Sequence, residues 1–339
     1  RQMCIRDSMT LTRFLTDSAE DIDLAAQTLA TGELLGLPTE TVYGLAGDAL
    51  QPSAVAQIFQ RKGRPADHPL IVHVGQASQV FDFASEVPDF ALALMQAFWP
   101  GPLTLILPRR EGVAEAAAGG HPTIALRCPS HPLAQKVLQK ASALGVKGVA
   151  APSANLFGRV SPTTALHVRE AFASLTVLDG GPCQVGIESA IVDASRGEPW
   201  LLRPGMLTVA ALSAVAGREV RPIGKPKEAS PLHAVPAAPG LLPSHYAPRA
   251  RVRLMDADAI ATHAPSFQGA LAVWAREPLA LPAKVHFKTM PSQAIECAHT
   301  LFADLRLLDA LHVDEIWAQT PPDDDAWAGV RDRLQRAAA

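Results

Sequence analysis

The stretch AEDIDLAAQTLATGELLGL, residues 19–37, decides the fold class. Its first part predicts a helix over Ala19–Ala30 closed by Gly32, and its last part predicts a strand over Glu33–Leu37. The same alternation continues outward. A helix is expected at about Ala54–Arg61 with Ser53 as N-cap, a strand at Leu70–Val74, a helix at Asp89–Ala97, then strands at Leu103–Leu107 and Thr123–Cys128. Further on come a helix at Leu133–Ala143, a strand at Gly148–Ala151, a helix at Thr163–Ala173, and short strands near Val177, Ala190–Val192 and Trp200–Leu202. Irregular order and hairpin-length connections point to an α/β fold whose twisted sheet is mixed, with flanking helices.

The alternation stops between Pro222 and Pro248, where seven prolines and almost no periodic apolar pattern read as an extended linker. Beyond it, strands are expected at Arg251–Met255, Leu271–Trp274, Val285–Phe287 and Glu315–Ala318. Helices are expected at Ala257–His263, Ser292–Ala310 and Ala326–Ala338, which makes a smaller, Rossmann-like α/β domain. The expected organisation is therefore residues 9–221 as the large domain, 222–249 as linker or lid, and 250–339 as the small domain. Residues 1–8 carry charge but no apolar core of a signal peptide, and Met9 reads as the natural start behind a spurious or non-native leader.

At 339 residues, 48% hydrophobic and 19% charged, the chain can bury two cores and is far from the composition of disordered proteins. A net charge of -3 excludes a global coat for nucleic acid or an acidic membrane, so any anion site has to be local. Four scattered cysteines, Cys4, Cys128, Cys183 and Cys297, form neither a disulfide framework nor a zinc ligand set, and no metal site is expected. They fit a reduced, cytoplasmic protein. No apolar run reaches the ~20 residues needed to span a bilayer.

P-loop, dinucleotide-binding and H-E-x-x-H signatures are all missing. The polar residues that remain sit in turns at strand and helix ends. Pro38-Thr39-Glu40-Thr41-Val42-Tyr43-Gly44-Leu45 brings two hydroxyls, a carboxylate and a phenol out of the sheet together, either to hold a polar ligand or to tie a strand exit to its own backbone. Arg61-Lys62-Gly63-Arg64 is open to two readings: compensation of a helix dipole, or a triphosphate clamp built from charge-assisted bonds. Strand parity puts His73 with Ile71, and Thr123 with Arg127 across Ala125, the last pair about 13 Å apart, a span of nucleotide length. Ala151-Pro152-Ser153-Ala154-Asn155, Asp179-Gly180-Gly181, Gly186-Ile187-Glu188-Ser189 and Leu202-Arg203-Pro204-Gly205 are each, alone, ordinary turns.

In order, these segments resemble the threonylcarbamoyl-AMP synthase family in its long form, a YrdC-like domain followed by a C-terminal domain. Trp99-Pro100-Gly101-Pro102-Leu103-Thr104, Ser161-Pro162-Thr163 and His245-Tyr246-Ala247-Pro248 belong to the same set, which covers nearly all of residues 15–248. The resemblance implies that L-threonine, bicarbonate and ATP give threonylcarbamoyl-AMP and pyrophosphate, the first step of tRNA threonylcarbamoyladenosine formation. It places Lys62, Arg64, Thr123, Ser153, Asn155, Arg203 and Tyr246 at ATP, and Thr39, His73, Arg127 and Ser189 at L-threonine. Lys62 and Arg64 would stabilise charge, Tyr246 would close as a lid, and no covalent nucleophile is required. It also implies Mg2+ with the phosphates and a downstream tRNA threonylcarbamoyl transferase complex, without stable nucleic-acid binding by the chain itself. Two positions depart from the family pattern: the linker lacks the usual basic and aromatic residues before His245, and Ala190 stands where threonine is common. The alternatives are an RNA-binding module, or a carbamoyl-adenylate transferase with another acceptor.

Overall fold

A computed structural model describes residues 12–222 and 245–339. The expected leader and most of the expected linker lie outside the described residues.

Helix Ala19–Ala30 forms as expected: Ser18 accepts a hydrogen bond from the Asp21 amide, satisfying one of the donors a helix start leaves open. The next helix runs Pro52–Lys62, two residues earlier than its sequence suggested. Pro52 takes the first turn, where its fixed φ suits the helix and its missing N–H costs nothing, so the cap is Gln51 and Ser53 lies inside. Gly63 ends this helix in the left-handed conformation at φ 64°, which turns the chain so that Lys62 and Arg64 point inward.

The large sheet has eleven strands among the described residues and mixes parallel with antiparallel pairs. Strand Gly44–Asp48 is absent from the sequence expectation. Its glycines and alanine carry little strand preference, and it exists through antiparallel pairing to Leu35–Leu37 on one side and Val149–Ala150 on the other. Helix Val209–Ala216 is a second unexpected element.

Strand Ile71–His73 runs parallel to Thr123–Arg127 in a register that sets His73 opposite Arg127. Leu103–Pro108 runs antiparallel to the latter and parallel to Ala190–Asp193, with Leu103 opposite Ala190. His73, Arg127, Thr104 and Ser189 are thereby gathered at one end of four neighbouring interior strands. Behind them Ile71, Ile106, Ala125, Ile191 and Leu202 fill the same sheet with a small apolar cluster.

The second sheet has four strands, Arg251–Met255, Glu315–Gln319, Leu271–Ala275 and His286–Thr289 in that spatial order, all parallel. Helices Ala257–His263, Ala294–Asp309 and Ala328–Ala337 complete it. Its core does not close on itself: Val42, Val160, Ile187 and Tyr246 pack into the same apolar cluster as Leu301, Phe302 and Val330.

A buried cationic pocket as candidate active site

Three guanidinium groups, those of Arg64, Arg127 and Arg203, line one pocket and are all buried. Burying a cation without compensation is costly, so each should be held by acceptors. Arg127 is. Its Nη1 donates to Thr41 Oγ1 at 2.7 Å, its Nε to Gly101 O at 3.3 Å, and its Nη2 lies 2.6 Å from Glu40 Oε1 in a charge contact rather than an aligned hydrogen bond. Glu40 is fixed in turn by the Ser130 amide at 3.1 Å. Thr41 Oγ1 is 2.9 Å from Thr39 Oγ1, which donates to Val42 O at 2.6 Å, so the hydroxyls of the 38–45 turn form a relay that ends on Arg127.

His73 lies beside this arginine. Burial, and then the Arg127 charge, push its pKa down to about 3, so the ring is neutral. Its Nδ1 faces the Ile71 carbonyl at 3.4 Å; a carbonyl only accepts, so Nδ1 carries the proton and Nε2 is left as an acceptor. Ser189 shares a 2.7 Å hydrogen bond with Thr104 and takes two donors from Arg203, Nε to its carbonyl at 3.1 Å and Nη2 to its hydroxyl at 3.3 Å.

Arg64 donates from Nη2 to Pro69 O at 2.9 Å and stands over the Phe157 ring. Burial lowers its pKa to about 10, leaving it charged. Its Nε is buried without a partner, and so are His245 Nδ1 and Tyr246 OH. All three residues line this pocket. Buried polar atoms are almost always satisfied, so three orphans on residues lining one cavity make it the candidate site for a polar ligand.

The pocket therefore contains Thr39, Arg64, His73, Arg127, Ser153, Ser189, Arg203 and Tyr246 from the sequence expectation. Three expected residues stand elsewhere. Lys62 is buried but donates to Ser153 O at 2.6 Å and Asn155 O at 2.7 Å, stapling the 153–155 turn from behind. Asn155 donates to Leu156 O and Arg159 O and faces an adjoining groove. Thr123 is at the far end of its strand opposite Pro108, with the apolar cluster around Ala125 between it and Arg127.

Sequence reasoning left Glu40 and Thr41 in a turn open to two readings and Glu188 in an ordinary turn, so it singled out none of the three as a site residue. It passed over Arg333 altogether. This residue of the last helix is fully buried and its Nε donates to Glu188 Oε2 at 2.8 Å. Among the described residues no group of His, Cys, Asp or Glu is placed to hold a metal ion.

The family described as "Telomere recombination" matches residues 27–205, and the one described as "Threonylcarbamoyl-AMP synthase, C-terminal domain" matches residues 207–339. The threonylcarbamoyl-AMP synthase of Bacillus subtilis is 35% identical over 335 residues, 96% of this chain and 94% of that protein. That of Pyrococcus abyssi is 42% identical over 240 residues, 69% of this chain and 68% of that protein. The crystal structure of Pyrococcus abyssi Sua5 complexed with L-threonine superposes with a TM-score of 0.86 at 34% identity, covering 97% of this chain and 98% of that one. Both halves of the molecule and its overall architecture thus agree, and the chain belongs to the threonylcarbamoyl-AMP synthase family in its long, two-domain form.

Proposed function

We propose that the buried cationic pocket is where this chain carries out the reaction of its family, with L-threonine at the Thr39–His73–Arg127–Ser189 side and the ATP phosphates toward Arg64, Ser153 and Arg203. The reaction is a nucleotidyl transfer: L-threonine, bicarbonate and ATP give threonylcarbamoyl-AMP and pyrophosphate. The threonine amine and bicarbonate form a carbamate with loss of water. A carbamate oxygen then bonds to the α-phosphorus of ATP as the bond to pyrophosphate breaks. Protein groups contribute position and positive charge, since two anions must meet and a third must leave.

The residues divide this work by their geometry. Arg127 is held by Glu40 and Thr41 before any ligand arrives, so it meets a carboxylate pre-oriented and with part of its hydrogen-bonding capacity already used. Neutral His73 offers Nε2 to an N–H or O–H of threonine. Arg64 lines the pocket with its Nε unpartnered, and its guanidinium suits a phosphate oxygen. Lys62 and Asn155 act from behind, by shaping the 153–155 turn and by their charge and dipole. Thr123 has no part in this assignment. Tyr246 covers the pocket and excludes water from a labile mixed anhydride. Glu40 and Glu188 are both committed to arginines, so the pocket offers no carboxylate cage for a resident metal ion; magnesium would travel with the ATP phosphates, and no step is assigned to it.

The cluster of unpartnered donors and acceptors at Arg64, His245 and Tyr246 carries this reading. An RNA-binding module is disfavoured because Lys62 and Arg64 are buried and only Arg61 of the three clustered cations faces solvent. The same proposal takes residues 9–221 as the catalytic unit and 250–339 as its partner domain. It also takes a tRNA threonylcarbamoyl transferase as consumer of the product, and the cytoplasm as location. No helix among the described residues is long and apolar enough to cross a membrane. The test is formation of labelled threonylcarbamoyl-AMP from ATP, L-threonine and labelled bicarbonate, each omitted in turn. Product that requires all three supports the proposal, and product-free turnover of ATP by a folded chain argues against it.

A further inference from the structure

The wall of the pocket that carries Glu188 is braced from outside by the C-terminal domain. Gly186 sits at φ +83°, where a Cβ would come within 2.4 Å of the Ala298 and His299 carbonyl oxygens, so the loop lies flat against helix Ala294–Asp309. The His299 ring hydrogen-bonds to Gln184 O at 2.9 Å, and Ile187 is buried in the C-terminal core. From the last helix, Arg333 reaches the same loop. Its Nε donates to Glu188 Oε2 at 2.8 Å, its Nη2 to Glu188 O at 3.0 Å, and its Nη1 to Pro204 O at 2.9 Å and to Asp332 Oδ2 at 2.8 Å. Its guanidinium also lies 5.6 Å from the centre of the Tyr246 ring, which packs against Phe302 from the same domain at 5.3 Å. Ser161 holds the other Glu188 oxygen at 2.6 Å.

We infer that Arg333 is a positioning residue for adenylate formation, by which the C-terminal domain sets Glu188 and Tyr246 in the wall of the pocket. This rests on the pocket assignment above. Two consequences of removing the guanidinium follow from the contacts. Glu188 would lose its direct ion pair and keep only the Ser161 hydrogen bond and the nearby Arg203 charge, leaving an under-compensated buried anion that opposes triphosphate and carbamate. Tyr246 would lose the cation beneath its ring and with it part of the seat that keeps water out. Water could then take the place of the carbamate at the α-phosphorus, forming AMP and pyrophosphate without product.

The test uses the full chain and three variants: Arg333→Met, Arg333→Lys, and Arg333→Met combined with Glu188→Gln. Steady-state constants for ATP and L-threonine are measured, together with pyrophosphate released per threonylcarbamoyl-AMP formed. For Arg333→Met, kcat/KM for ATP should fall roughly 10- to 100-fold, the scale of a misplaced catalytic wall, and pyrophosphate should exceed product. Arg333→Lys keeps the charge and loses the fork, so it should lie between. Adding Glu188→Gln removes the anion that has lost its ion-pair partner and should recover part of the loss. Arg333→Met with constants within about twofold of the parent and one pyrophosphate per product would overturn the inference. So would a lower melting temperature with unchanged constants for the folded protein. Arg64→Ala, assayed alongside, separates the two levels: if it retains full activity the pocket assignment has failed and this inference with it, whereas an inactive Arg64→Ala beside a normal Arg333→Met removes only the role of Arg333.

Discussion

Arg127 and Glu40 stand 2.6 Å apart with side-chain exposures of 4% and 3%, joining the strand end to the 38–45 turn. Each group compensates the buried charge of the other. Glu40→Ala should destabilise the fold by about 3–5 kcal/mol, the usual cost of stranding one half of a buried pair. Glu40→Gln should cost less, because its single amide oxygen can still accept from either Arg127 or the Ser130 amide. Urea unfolding curves for both variants test this, and an unchanged midpoint for Glu40→Ala would show that the pair does not stabilise the fold.

Lys62 donates to two backbone carbonyls in the 153–155 turn, so its removal should affect stability as well as ATP use. Each charge-assisted bond contributes about 1.5–3 kcal/mol. Burial, and then the nearby Arg64 charge, lower the Lys62 pKa, which offsets part of that contribution. For Lys62→Met a net loss of about 2–4 kcal/mol is expected, together with a higher KM for ATP. Wild-type stability with a raised KM would mean that Lys62 meets the phosphates directly.

Tyr246→Phe preserves the ring contacts with His245, Phe302 and Arg333 and deletes a buried hydroxyl that has no partner. Leaving such a group unsatisfied costs about 1–3 kcal/mol, so the variant should be at least as stable as the parent. Its product yield per ATP consumed should fall if the hydroxyl contacts a ligand. Calorimetry and a coupled pyrophosphate assay read the two effects independently, and a less stable variant with unchanged coupling would give the hydroxyl a purely structural role.

Stability should decline on mild acidification. Burial lowers the pKa of His73 to about 3 and that of His245 to about 4; near His245 the Glu188 charge opposes this and the charges of Lys62, Arg64 and Arg203 reinforce it. In the unfolded chain both titrate near 6.5, so below that pH the unfolded state binds more protons and is favoured. The contribution of these neutral rings is complete above about pH 6.5 and is lost progressively as pH falls toward 4 and then 3. Denaturant midpoints between pH 4 and 8 should fall on the acid side, and His73→Gln should flatten part of that slope. A wild-type midpoint that stays constant down to pH 4 would contradict the buried, neutral state of both rings.

Much of the fold was legible because its signals are local. Helix Ala19–Ala30, strand Arg251–Met255 and helix Ala257–His263 match their sequence expectation from end to end, since caps, glycine stops and apolar spacing act between near neighbours. Most of the pocket lining was legible for a related reason: Thr39, Arg64, His73, Ser153 and Ser189 belong to short segments whose order along the chain is distinctive. Strand Gly44–Asp48 was not, because pairing rather than its own residues makes it a strand.

Sequence by itself determined the α/β class, the two-domain order and the residue types available for binding anions. Only the tertiary structure decided which of those residues share a cavity. It turned Lys62 toward carbonyls, put an apolar cluster between Thr123 and Arg127, and bound Arg127 to Glu40. It also carried Arg333 across 145 residues to Glu188. In its own helix that arginine shares the buried face with Val330, Leu334 and Ala337, and only its charge reads as solvated. Burial and compensation of charge depend on which groups lie nearby in space, and that proximity exists only after both sheets have formed and docked.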